Sequence, residues 1–419
     1  MKKFGIYTLD SLDVSGKTVL LRVDINEPID RAADKIADDT RIRGCVPTIQ
    51  ELRDRGAKVV VMAHQGSDIE YKNYYTLRPH VSVLEQLLGS EVKFIADVCG
   101  PAAQDAIRSL QPGEVLLLDN VRFMAEEQTL FERSLKLTHE QQADTLVVRT
   151  LAPLADCYVC DAFAAAHRDQ PTLCGFEQRL PSMMGRLFEK EYSVISSLME
   201  APDRPCVFVL GGAKIADAFM MMQTVLDRGI ADKVLSGGVV ANILLAAKGE
   251  NIGEASLGFI KKQGYDGFIE TAKPLLEKYG EKIVLPADLA YTEEGKRGEA
   301  MVGSLPGDKM LVDIGAKTAA AYREAILGAK TVFVNGPMGI FEKEETEFGT
   351  RAVWQALADT EGYTVGGGGD SVTATNKYGL GPQMGYICTG GGALIRFLSG
   401  EELPVVRALR HAAQAFPLD

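Results

Sequence analysis

Cys206-Val207-Phe208-Val209-Leu210-Gly211-Gly212-Ala213-Lys214 is an unbroken apolar run that ends in a glycine turn and a lysine. A strand that is apolar at every position, not at alternate ones, is the kind covered on both faces, as in a parallel sheet. The pattern recurs upstream at Val19–Val23, Val59–Met62, Val92–Ile95, Val115–Leu118 and Cys157–Cys160. Downstream it returns at Lys233–Leu235, Lys282–Leu285, Met310–Val312, Thr331–Val334, Tyr363–Val365 and Tyr386–Cys388. Stretches of helical periodicity separate these runs, so the sequence predicts two doubly wound, parallel-sheet α/β domains of the Rossmann-like kind. Between the two sets, Met184, Phe188, Tyr192, Ile195 and Met199 fall on one face of an amphipathic helix, with Ser182 as its N-cap and Pro202 as its stop. The expected division is a first domain over 1–182, a hinge helix over 183–200, a second domain over 201–400 and a C-terminal segment over 401–419.

Composition narrows the function. The 419 residues carry 45 Lys and Arg against 57 Asp and Glu, a net charge of −12. That balance argues against nucleic acid and anionic membranes as partners, since both call for a basic surface. No apolar run reaches the ~20 residues that span a bilayer, and Met1–Asp10 has basic residues without the apolar stretch of a signal peptide. Seven cysteines give no disulfide framework. Cys157 and Cys160, three apart on a strand, face opposite sides and read as buried structural thiols, not as a metal clamp. A reducing cytoplasm is the expected compartment.

The loops after the strands carry the chemistry. Val23 leads into Asp24-Ile25-Asn26, Met62 into Ala63-His64-Gln65-Gly66, Leu118 into Asp119-Asn120-Val121-Arg122, and Cys160 into Asp161 and on to His167-Arg168. With Arg41, this gathers Arg41, His64, Arg122, His167 and Arg168 at or near strand ends of an acidic protein, a focus for an anionic ligand. Guanidinium forks match phosphate and carboxylate oxygens, so a small phosphorylated acid is the expected substrate, with Asp24 and Asn26 placed to fix its hydroxyls. Arg22 and Arg43 read as structural. The second half supplies Gly211-Gly212 before Lys214, Asn335-Gly336-Pro337, Gly366–Ser371 and Thr389–Gly392. Glycine turns let backbone N–H groups approach phosphates, and a following helix adds its positive end. Asp370 closes one such turn and suits Mg²⁺ bound with nucleotide phosphates. There is neither a G-x-x-x-x-G-K-[ST] nor a G-x-G-x-x-G motif, which sets aside P-loop and dinucleotide readings.

Taken in order, these loops resemble phosphoglycerate kinase, in wording closest to its archaeal-type branch. The segments that carry the resemblance are 22–26, 38–42, 63–66, 119–123, 161–168, 211–214, 335–342, 367–371 and 389–393. The resemblance implies reversible phosphoryl transfer from 1,3-bisphosphoglycerate to MgADP, giving 3-phosphoglycerate and ATP. It implies a phosphoglycerate-binding first domain, a nucleotide-binding second domain, hinge closure before transfer, and a C-terminal segment that returns to the first domain. Asp24, Asn26, Arg41, His64, Gln65, Gly66, Ser67, Arg122, His167 and Arg168 would then bind the acid. Gly211, Gly212, Lys214, Gly237, Asn335, Pro337, Glu342, Gly367, Gly368, Gly369, Asp370 and Ser371 would bind the nucleotide, with Asp370 on Mg²⁺. Arg41, Lys214, Gly391 and Gly392 would serve the transferring group. A monomer working on small molecules alone is expected.

Three positions depart from the family pattern. The usual His-x-Gly-Arg-Pro is here His64-Gln65-Gly66-Ser67-Asp68, which removes an arginine; Lys72 or Arg78 is the expected substitute. Ala218 stands where many members have lysine, and Cys388 where serine is usual. Ser67 and Ala218 leave open a second reading, a catalytically impaired paralogue that binds nucleotide or anion.

Overall fold

The computed structural model describes residues 1–66 and 74–418, so Ser67 and Lys72 lie outside the described residues. The chain divides into two compact units, Met1–Ser193 with Glu402–Asp419, and Val194–Glu401.

In the first unit Thr18–Arg22 pairs in parallel with Lys58–Met62 on one side and Cys157–Cys160 on the other. Val115–Leu118 and then Lys93–Ile95 continue the sheet beyond Lys58–Met62; Ser182–Met184, Ile6–Thr8 and Lys2–Lys3 continue it beyond Cys157–Cys160. Only the outermost pair, Lys2–Lys3 with Ile6–Thr8, is antiparallel. Val19, Leu21, Val59, Val61, Val115, Leu117, Cys157 and Val159 are buried in one apolar core, and Leu20, Val60, Leu116 and Tyr158 between them are buried as well, which is why these strands show no polar alternation. The helix Pro404–Ala415 completes the unit. Val405 N donates to Ala166 O at 3.3 Å, Arg410 Nε to Phe4 O at 3.2 Å, and Leu418 N to the Tyr7 hydroxyl at 2.8 Å.

The second unit holds a six-stranded parallel sheet in the order Ile283–Val284, Lys233–Ser236, Cys206–Leu210, Thr331–Asn335, Tyr363–Gly367, Tyr386–Ile387. Numbered along the chain this is 3-2-1-4-5-6, and the order reverses between Cys206–Leu210 and Thr331–Asn335. Open α/β sheets bind ligands beyond the carboxyl ends of their strands at such a reversal.

Three expectations need correction. Ser182 is no helix cap: it lies in the strand Ser182–Met184 with Met184, and its hydroxyl donates to Leu180 O at 2.8 Å. The helix runs Arg186–Glu200, and the Asp161 carboxylate accepts from Leu187 N at 2.9 Å and Phe188 N at 3.1 Å to cap it. Phe188, Tyr192, Ile195 and Met199 are buried on that helix, and the division between units falls inside it, not at either of its ends. The run read as Met310–Val312 is the strand Leu311–Ile314, which belongs to a separate antiparallel sheet. Asp288–Glu293 is the middle strand of that sheet, with Lys296–Met301 on its other side. A two-residue turn with positive φ at Glu294 (48°) and Gly295 (74°) joins the hairpin, the geometry that matches strand twist.

Candidate active site

Each unit presents its candidate residues at the carboxyl ends of neighbouring strands. In the first, Arg41 opens the helix Thr40–Asp54. Glu27, almost fully buried, accepts the amides of Arg41 (2.5 Å) and Ile42 (3.1 Å) through Oε1 and fixes that helix start. Burial raises the Glu27 carboxyl above its ordinary value, and these amide bonds oppose the rise. The Arg41 side chain reaches back to Asp24, Nη1 to Oδ2 at 2.6 Å. Asn26 Oδ1 accepts Gly66 N at 2.9 Å, and Arg122 Nη1 donates to Gly66 O. These bonds tie the loops after Thr18–Arg22, Lys58–Met62 and Val115–Leu118 together. Gln65 is engaged with the Glu27 backbone, donating to Glu27 O at 2.7 Å and accepting Glu27 N at 3.2 Å, so its side chain braces the loops.

His64 reports the electrostatics of this cluster. Burial holds its pKa well below the ordinary histidine value, and the charges of Arg122, Arg22, Arg41 and Arg168 push it further down. Of these, Arg22 touches the ring directly, Nη2 to Nδ1 at 3.1 Å. Arg122 is itself buried, and burial, Arg168 and Arg22 lower its own pKa. Among the described residues the buried Nε of Arg122 has no acceptor. A desolvated donor without a partner costs on the order of 1–3 kcal/mol, a penalty that an anion's oxygen would relieve. Arg168 Nη1 lies 3.5 Å from Glu132 Oε2. His167 is half-buried beside it. Arg78 does not stand in for the missing arginine: it is exposed, and its guanidinium lies 4.7 Å from the Phe94 ring centroid.

The second unit uses backbone instead. Gly211 N donates to Asn335 O at 2.9 Å, Gly212 N to Pro337 O at 2.7 Å and Gly238 N to Met338 O at 2.7 Å, so three strand-end loops interlock. Side chains are excluded here: a Cβ on Gly211 would lie 2.2 Å from Pro337 O, and one on Gly336 would lie 2.3 Å from Gly211 O. Ser371 is committed to the same junction, its Oγ accepting Gly336 N at 2.8 Å. Gly368, at φ 84°, is the N-cap of the helix Gly369–Tyr378, and Asp370 is exposed in its first turn. Gly237 precedes the helix Gly238–Ala247, exposed Lys214 precedes Ile215–Asp227, and Gly391 and Gly392 open Gly391–Leu398.

Beside these loops lies a cavity of about 260 Å³. Gly212, Pro337, Glu342 and Asp370 line it, so the structure brings these expected residues together. Gly211, Lys214, Gly237, Asn335, Gly367, Gly368, Gly369 and Ser371 are not among its lining residues. Val239, Phe259, Leu289, Leu311, Ile340 and Phe341 supply an apolar wall that the sequence reading missed. They come from two helices, the antiparallel sheet and the segment after Pro337, and no strand-end motif marks most of them. An apolar slot with a few polar groups at its edge suits a flat base carrying a polar tail.

The sequence model described as "Phosphoglycerate kinase" matches residues 9–401. A phosphoglycerate kinase of Methanothermobacter thermautotrophicus is 45% identical over 409 residues, covering 98% of either chain. One from Thermococcus kodakarensis is 41% identical over 418 residues, again covering 98% of each. The crystal structure of phosphoglycerate kinase from Pyrococcus horikoshii OT3 superposes with a TM-score of 0.87 at 39% identity, covering 98% of this chain and 100% of that one. That of the Coxiella burnetii enzyme gives 0.82 at 30%, covering 96% and 98%.

Proposed function

The chain belongs to the phosphoglycerate kinase family, and from that membership we propose how its residues divide the work. It is a phosphotransferase acting on small molecules, a phosphoglycerate and a nucleotide. The reaction moves the acyl phosphate of 1,3-bisphosphoglycerate to MgADP and leaves 3-phosphoglycerate and ATP, and it runs reversibly.

Asp24, Asn26, Arg41, His64, Gly66, Ser67, Arg122, His167 and Arg168 hold the acid in this reading, with Gln65 bracing the loop. Gly211, Gly212, Lys214, Gly237, Asn335, Pro337, Glu342, Gly367–Gly369 and Ser371 shape the nucleotide site. Glu342, exposed at the cavity edge, takes the ribose hydroxyls. Asp370 fits Mg²⁺ carried with the nucleotide: its carboxylate faces solvent at the cavity rim, and Mg²⁺ commonly takes one or two carboxylates plus phosphates. When bound, the ion neutralises charge on the phosphate oxygens.

An acyl phosphate is already a reactive donor, so the chain's own residues need only orient it, exclude water and offset charge. Arg41 offsets charge on the equatorial oxygens of the moving group, Lys214 adds a second positive charge for it, and the N–H groups of Gly391 and Gly392 serve it as fixed dipoles. The protein works as a cytoplasmic monomer in this account.

The observation that carries the reading is the buried Arg122, whose Nε has no acceptor among the described residues, beside loops that also hold His64 against Arg22 at 3.1 Å and Arg41 against Asp24 at 2.6 Å, a cationic cluster inside an acidic protein. A coupled assay of ATP formation from 1,3-bisphosphoglycerate and MgADP tests it. Steady turnover is expected, and folded protein that forms no ATP would overturn the assignment.

A further inference from the structure

We propose that Glu127 and Thr172 are positioning residues for the acid site: acting through Arg22, they fix His64 as an uncharged hydrogen-bond donor. The proposal rests on the reading that His64 contacts the phosphoglycerate. Arg22, Glu127 and Thr172 are all fully buried, and none belongs to the acid-binding set assigned above.

The bonds run in one direction. A guanidinium has donors only, so Arg22 Nη2, 3.1 Å from His64 Nδ1, must donate to it. Nδ1 is then bare, and the ring's proton sits on Nε2. Arg22 Nε donates to Thr172 Oγ1 at 3.0 Å. The threonine hydroxyl must send its own hydrogen onward, and Glu127 Oε2 receives it at 2.9 Å. Glu127 Oε1 accepts Thr172 N at 2.6 Å, so both carboxylate oxygens act as acceptors, as in the ionised form. Val23 O takes the remaining direction, from Arg22 Nη1 at 2.5 Å, which fixes the plane of the guanidinium. A protonated His64 would have to point Nδ1–H at an arginine, so this arrangement excludes the imidazolium. The site gains a neutral Nε2–H donor whose proton cannot drift to the wrong nitrogen.

Two substitutions interrupt the line without emptying volume. Thr172→Val removes the hydroxyl, while Thr172→Ser keeps it. Glu127→Gln leaves one acceptor oxygen for two donors, Thr172 N and the Thr172 hydroxyl, so an amide N–H opposes one of them and the line loses half of its terminal acceptor. The readouts are nitrogen-15 shifts of the His64 ring in the whole protein and KM values for 3-phosphoglycerate and ATP. Both are taken at pH 8, above the value of about 7 to which burial raises Glu127.

Wild type and Thr172→Ser are expected to show one tautomer, protonated at Nε2. Thr172→Val and Glu127→Gln are expected to admit the Nδ1–H form and to raise the KM for 3-phosphoglycerate about tenfold, the scale of one lost hydrogen bond, with the KM for ATP unchanged. A released tautomer with an unchanged phosphoglycerate KM upholds the relay and instead removes His64 from the acid's contacts. A tautomer still locked in Thr172→Val overturns the proposal whatever the KM does. Should Glu127→Gln not fold, the two Thr172 variants decide alone.

Discussion

The two units build their candidate sites in opposite ways. The first concentrates side-chain charge: Arg22 and Arg122 are buried, His64 is held neutral among arginines, and Asp24, Glu27 and Glu127 stand close by as buried counter-groups. The second packs main chain against main chain at strand ends, with the amides of Gly211, Gly212 and Gly238 bonded to neighbouring carbonyls, so closely that Gly211 and Gly336 tolerate no side chain. Charge-based recognition needs buried partners to hold each guanidinium in place, whereas amide-based recognition needs empty space at the α-carbon. The two candidate sites are thus built at two different costs, one electrostatic and one steric.

Removing one guanidinium should do the most to break that contrast. Arg41→Ala is expected to lower turnover about 10³-fold, by analogy with other phosphoryl-transfer arginines, while the KM for ADP stays within about twofold. Steady-state kinetics with both substrates checks this, and near-normal turnover would remove Arg41 from the transferring group.

A methyl group in the second unit should come next. Gly211→Ala places a carbon 2.2 Å from Pro337 O, and overpacking of this kind costs about 1–3 kcal/mol. The KM for ADP should rise by roughly tenfold or more, with phosphoglycerate affinity unchanged. Binding calorimetry with each ligand separates the two sites.

The electrostatic cost of the first unit should appear in its response to pH. Burial raises the Asp161 carboxyl to about 7, against 3.8 in the open chain, while its bonds to Leu187 N and Phe188 N pull the other way. A carboxyl raised on folding binds more protons in the folded state. Its contribution is therefore fully present below about pH 4, is lost as the pH climbs to about 7, and changes no further above that. Asp161→Asn, which has no such loss, should gain stability relative to wild type between pH 4 and 7 and hold a constant difference beyond. Urea unfolding at pH 4.5, 6 and 8 measures the difference; a flat line would mean that Asp161 stays ionised throughout.

Glu132→Gln should give the smallest change. It withdraws a negative charge from Arg168, 3.5 Å away, and keeps an acceptor for Asp169 N. The KM for 3-phosphoglycerate should fall about twofold, the scale of a single weak ion pair.

Much of the architecture was legible because its strands are covered on both faces. Val115–Leu118, Cys157–Cys160 and Cys206–Leu210 agree with the sequence reading to the residue. Cys157 and Cys160 are buried thiols, as their place on a strand implied. What escaped notice depends on distant partners. The start of Arg186–Glu200 is set by Asp161, a carboxylate from another strand's end, so a local search finds Ser182 instead. Asp288–Glu293 mixes acidic and apolar residues because buried Asp288 accepts the amides of Lys317 and Thr318 while Glu293 is exposed, which hides it from a search for apolar runs. The cavity's apolar wall has no motif, since Phe259 and Leu289 meet only in the folded unit. The strand-end loops were readable as candidate sites, whereas Arg22's role was not: nothing local distinguishes a guanidinium that faces a histidine from one that faces water.

One feature of the fold bears on how the protein is made. The first unit draws on residues before 194 and again on those after 401, and Tyr7 and Phe4 wait for Leu418 and Arg410. During translation at about 5–20 residues per second, the whole contiguous span of the second unit leaves the ribosome while the first still lacks its closing helix. A nascent chain halted before codon 404 would expose an unfinished apolar surface to chaperones, and the helix Pro404–Ala415 hides it once made.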